Sequence, residues 1–130
     1  GQRQRLPHQP DLREISFGSW EMRGFKDIEA EDPERARDFW EFPGELRPPE
    51  GEGWNELSQR VDGVIDTLLA TYPKRDLIVV AHFGAILTQV QRALKVGPKQ
   101  AFAHRLDPLS VTEIVTSDAE WRAERINHLP

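Results

Sequence analysis

The chain has 130 residues, which suits one domain and leaves no room for two ordinary ones. Its 22 acidic residues against 17 Lys and Arg give a net charge of -5, so it lacks the cationic surplus of a groove that tracks nucleic-acid phosphates. With no Cys there is no disulfide framework, no Cys-ligated metal and no thiol nucleophile, and cytosol is the default compartment.

Residues 1–10 read as an irregular lead-in without hydrophobic periodicity, followed by a single domain over 11–130. No signal-peptide pattern opens the chain, and the longest aliphatic run, Leu77 to Ala81, is too short to span a bilayer, so no membrane partner is expected. Residues 11–23 are short and extended, with a turn at Gly18. Gly24 to Glu31 is more helical. Asp32-Pro33-Glu34 supplies a cap, a first-turn proline and an early acid, which predicts a helix from Pro33 to about Trp40. The prolines and glycines of Phe42 to Gly53 impose a loop.

In the next segment Leu57, Val61, Val64, Ile65, Leu68 and Leu69 share one helical face, opposite Gln59, Arg60, Asp62 and Asp66. The uninterrupted apolar run from Leu77 to Ala81 predicts a strand covered on both faces. A further helix is expected over about Ala85 to Val96, stopped by Gly97 and Pro98. Leu109 to Thr116 and Trp121 to Ile126 read as an antiparallel hairpin. The order predicts an α/β fold: three layers, a mostly parallel sheet between helices, and a C-terminal hairpin. The edge of that hairpin could support a homodimer.

Two stretches carry candidate chemistry. At Val79-Val-Ala-His82-Phe83-Gly84 a buried strand would end in a polar residue, turn at glycine and start a helix. In α/β sheets that edge takes ligands, and the free N–H groups of the helix favour an anion beside the imidazole. A histidine that only caps the turn would leave the same pattern. In the second stretch, Asp11-Leu-Arg-Glu14-Ile-Ser-Phe17-Gly18-Ser-Trp20-Glu21, burial beside Phe17 or Trp20 would keep Glu14 protonated as a proton donor. On sequence chemistry alone a solvated glutamate is the simpler reading. His104 and His128 lack companions at metal-ligand spacing and are expected at ordinary surface or core-edge positions; no metal and no cofactor are expected. Trp40 and Trp54 flank the Pro/Gly loop, where they either shape a lid or pack.

These residues carry a resemblance. Leu12-Arg-Glu14-Ile-Ser-Phe17-Gly18-Ser-Trp20-Glu21 resembles the L-x-E-x-x-F-G-x-W-E-G stretch of the histidine phosphatase superfamily, the phosphoglycerate-mutase-like enzymes. Val79-Val-Ala-His82-Phe83-Gly84 is similar to that family's V-x-H-G-G segment. Pro49-Glu-Gly51-Glu52-Gly53 with Arg60-Val61 resembles its P-G-G-E-S…R-V stretch, and Pro108-Leu-Ser110-Val-Thr112 its N-x-S-I-T segment. Bacterial phosphatases of the α-ribazole type look most similar. The resemblance implies hydrolysis of a small phosphorylated metabolite through a phosphohistidine without metal, releasing inorganic phosphate. It implies Glu14 as proton donor, His82 as the second active-site histidine, and Phe83, Gly84 and Phe17 at the phosphate and substrate.

The departures are equally specific. The family's nucleophilic R-H-G segment and its S-x-x-x-R-A-x-x-T-A helix have no match in the 130 residues. His8, in Leu6-Pro7-His8-Gln9-Pro10, is nothing like a strand end. Met22 and Phe83 stand where glycines are common. The chain therefore reads as the C-terminal portion of a longer phosphatase, inactive alone, or as a non-catalytic phosphate-binding module that lacks the nucleophile.

Overall fold

A computed structural model describes residues 3–41, 44 and 46–130; Phe42, Pro43 and Glu45 of the expected loop lie outside the described residues. Residues 3–9 carry no regular element, and short 3-10 turns form at Pro10–Leu12 and Gly18–Trp20. Next come α1 (Phe25–Glu31) and α2 (Pro33–Glu41). Asp32 separates them as anticipated, its Oδ1 accepting the Arg35 N–H at 3.3 Å while Pro33 occupies the first helical position.

Helix α3 (Trp54–Thr71) buries Trp54, Leu57, Val61 and Leu68 on the expected face, and Glu56 turns back to accept the Gly53 N–H at 3.1 Å. It packs on α4 (Phe83–Leu94), whose Ala85, Leu87 and Val90 complete the main core with Ile15 from the N-terminal segment. Leu57 and Leu87 are wholly buried, each side chain contributing about 1.5–3 kcal/mol relative to exposure. Helix α4 ends at Lys95 in the left-handed region (φ 57°), not at Gly97; Gly97 instead precedes the short α5 (Pro98–Ala101). Trp54 locks the two helices and α5 together, donating its Nε1–H to Gln91 Oε1 at 2.6 Å and meeting Phe102 edge-on. Packing, not a lid, is therefore its role.

The hairpin forms as expected: β1 (Val111–Val115) pairs antiparallel with β2 (Arg122–His128), with two register shifts. Asp107 ties its approach to β2, its N–H donating to Asn127 Oδ1 at 2.7 Å and its Oδ2 accepting from Asn127 Nδ2 at 3.0 Å. Arg92 of α4 fastens the hairpin to the helices: its guanidinium lies 3.8 Å from the Trp121 ring centroid and pairs with Asp66 of α3 at 2.5 Å.

The expectation of a buried strand fails. Leu77 to Ala81 is not a strand covered on both faces; it forms no ladder among the described residues, and Ile78 and Val80 are 72% and 94% exposed. An apolar run becomes a buried strand only where neighbours pair its N–H and C=O groups and cover both faces. Here residues 3–13 border it across an open groove of about 910 Å³ and do not pair with it. Among the described residues the only sheet is the two-stranded hairpin.

A second apolar cluster joins Trp20, Ile28, Ala36 and Phe39 under α1 and α2. Phe17 packs against both clusters, its ring edge-on to Phe39 with centroids 6.3 Å apart.

Candidate active site

The site begins with a helix end that lacks a local cap. His82 precedes α4 in extended conformation, its carbonyl accepting the Ile86 N–H at 3.0 Å, but its imidazole makes no capping hydrogen bond. The cap comes from 70 residues earlier: the Glu14 carboxylate accepts the Gly84 N–H at 2.9 Å through Oε2 and the Ile15 N–H at 3.0 Å through Oε1. A carboxyl oxygen at the first turn satisfies an orphan donor of the helix. The acid and the histidine, distant in sequence, are thereby brought to the same helix terminus.

Gly84 makes this approach possible. A Cβ at that position would lie 2.3 Å from Glu14 Oε1, far inside van der Waals contact. The N–H of Gly84, a residue expected at the phosphate, is given to Glu14. Phe83, 48% exposed, opens the helix beside it, and the exposed His82 lies at the end of the groove between residues 3–13 and 75–82. The imidazole has no hydrogen-bond partner among the described residues, so the turn-capping alternative is not realised.

The Glu14 segment is held by two loops zipped along their backbones. Ser19 N–H donates to Pro49 O at 2.9 Å, and Glu52 N–H donates to Ser16 O at 2.8 Å. Gly18 adopts φ +54°, and a Cβ there would lie 2.2 Å from Pro49 O, so both its conformation and its neighbour require glycine. Phe17 N–H donates to Glu21 Oε1 at 2.8 Å, which shapes the turn that presents its ring to the two clusters. Trp20 turns away into the second cluster. Met22 stands at φ 61°, the left-handed region that favours glycine, fully exposed.

Sequence reading missed the residues beneath this segment. Arg60, assigned to the polar face of α3, is 11% exposed and forms a two-pronged pair with Glu52, itself 13% exposed, with Nη2–Oε1 at 2.7 Å and Nε–Oε2 at 2.9 Å. Burial opposes ionisation of Glu52, but the Arg60 hydrogen bonds, the Ser16 N–H and the charges of Arg60 and Arg13 outweigh it and hold the carboxyl below its ordinary value. The available signal was the acidic Glu52 in a glycine-rich loop eight residues before an arginine, both within a stretch that resembles the family's.

Elsewhere the bland readings stand. His8 lies exposed in the irregular lead-in, His104 is half-buried after α5 and His128 closes β2 on the surface. Trp40 is half-exposed beside Phe25, their ring centroids 6.4 Å apart. Among the described residues no helix is long and apolar enough to cross a membrane.

The Glu14 carboxyl and His82 thus share the N-terminus of α4. The chain belongs to the histidine phosphatase superfamily (branch 1), whose family model matches residues 1–129. It is similar to the adenosylcobalamin/alpha-ribazole phosphatase of Salmonella typhimurium, 27% identical over 126 residues, covering 88% of this chain and 62% of that protein. A putative alpha-ribazole-5'-P phosphatase from Escherichia coli superposes with a TM-score of 0.78 at 28% identity, over 95% of this chain and 62% of the other. YhfR of Bacillus stearothermophilus shares the fold, with a TM-score of 0.84 at 20% identity over 94% and 61%. The fold is phosphoglycerate-mutase-like, and the chain spans about three-fifths of the length of these relatives.

Proposed function

We propose that this chain carries the proton donor and the second histidine of a phosphatase acting on small phosphomonoesters through a phosphohistidine. The observation that supports this reading most is the Glu14 carboxylate at 2.9 Å from the Gly84 N–H, two residues beyond His82. The nucleophilic histidine would come from polypeptide outside these 130 residues, since no Arg-His-Gly occurs within them. In the first step the P–O bond to the leaving group breaks as a P–N bond to the nucleophile forms, and Glu14 delivers its proton to the departing oxygen. Each Glu14 oxygen accepts one N–H, which leaves a lone-pair direction free to hold that proton. His82 and the Phe83 N–H stabilise the equatorial oxygens in flight. Water then attacks the phosphohistidine, gives its proton to Glu14 and releases inorganic phosphate. No step draws on a metal.

The names of the curated relatives make α-ribazole-type phosphomonoesters the first substrates to assay. In a protein with the nucleophile present, His82→Ala and Glu14→Gln each lower kcat by about 100-fold or more with the fold intact. Near-normal turnover in both variants would overturn the assignment. A second reading, a phosphate-binding module without catalysis, is favoured by the missing Arg-His-Gly. Phosphate binding with no turnover on any phosphomonoester, in the protein with everything its gene encodes, would select it.

A further inference from the structure

We propose that Arg60 is the positioning residue of this site: locked by Glu52, its guanidinium sets the backbone from which Glu14 projects and thereby aims the carboxyl at the α4 terminus. The inference rests on the reading of Glu14 as the acid. Arg60 Nη1 donates to Asp11 O at 2.7 Å and to Arg13 O at 2.9 Å, and Nη2 reaches Glu14 O at 3.4 Å. One side chain thus gathers three carbonyls of the four-residue segment that ends in the acid. The segment's own turn is a single 3-10 turn at Pro10–Leu12, with no cap bond from a side chain. Ile15 anchors the far side of Glu14 in the core, and Arg60 is the side chain that collects the carbonyls before it.

Glu52 serves the same geometry from the other side. Besides gripping Arg60 through both oxygens, its Oε1 accepts the Ser16 N–H at 3.1 Å, two residues beyond Glu14. Glu14 is therefore bracketed, with carbonyls 11, 13 and 14 held on one side and amide 16 on the other. A planar fork suits this task because five N–H donors in fixed directions serve two carboxylate oxygens and three carbonyls at once; a lysine ammonium has three donors and no fork. The polar side-chain atoms of Arg60 and Glu52 are all engaged with the segment or with each other.

The test uses amide resonances, which need no turnover. Glu14→Gln identifies the shift that the Gly84 and Ile15 N–H signals undergo when their acceptor changes. Arg60→Met is expected to move these same two signals and to speed Gly84 amide exchange by about tenfold, the loss of one good hydrogen bond. The amides of Leu87 and Val90 in the same helix should hold. Arg60→Lys should keep the charge and fail to restore the Gly84 signal. In the intact enzyme both variants should lower kcat about 10–100-fold with KM nearly unchanged, as a misplaced acid does. A Gly84 signal unmoved in the lysine and methionine variants would overturn the proposal, as would changes spread evenly over the α3–α4 core. Displaced Gly84 signals in the Arg60 variants, alongside a wild-type protein that hydrolyses no phosphomonoester, would sustain the positioning role and reject the acid's catalytic one.

Discussion

The hydrogen on the Gly84 Cα stands where any side chain would collide with the acid. A methyl would lie 2.3 Å from Glu14 Oε1 and 3.1 Å from its carboxyl carbon, so one of the two must move. Alanine is a better helix former than glycine, which makes Gly84→Ala a clean probe: α4 is kept while the carboxyl is pushed off its N–H. The expected outcome is a fall in kcat of about 10–100-fold with the fold retained and the thermal midpoint no higher, since the lost cap offsets the gain in propensity. Retained turnover would mean that Glu14 does its work from another place. This contact was not legible in the sequence. Glu14 and His82 were recognisable as separate candidates, but local windows cannot tell a helix cap supplied from 70 residues away from a solvated glutamate.

At the scale of elements, periodicity located the helices well, because α2, α3 and α4 each bury one face whose spacing is written in the chain, and alternation located the hairpin, which half-buries Thr112 and Ile114. The same logic misassigned Arg60. Amphipathic patterning sends every charge to solvent, yet a buried guanidinium is tolerated where a carboxylate and several carbonyls satisfy all its donors. The Glu52–Arg60 pair gives stability a defined pH dependence. Glu52 is held below its ordinary value of 4.5 in the folded chain. Its contribution is therefore present in full above that value and is lost as pH falls through the lower folded value. Glu52→Gln should unfold about 2 kcal/mol more easily than the parent near neutral pH. That gap should narrow as the parent is acidified below 4.5, as read from denaturant midpoints across the range. A gap independent of pH would contradict the pairing.

On the scale of the whole molecule, two apolar clusters meet at Phe17, three residues beyond the acid that caps α4. The fold class was legible because element order alone limits the layer arrangement. The strand at Leu77 to Ala81 was not, because pairing is a property of neighbours, and in this chain none is hydrogen-bonded to it among the described residues. The segment nonetheless leads directly into His82 at the head of α4. The most direct measurement of the central claim is a titration with inorganic phosphate followed in amide and imidazole resonances. Progressive shifts at the His82 ring and the Phe83 amide, lost in His82→Ala and altered in Glu14→Gln, are predicted. Shifts confined to Arg3, Arg5 and His8 of the lead-in, or none at saturating phosphate, would contradict a phosphate site at the head of α4.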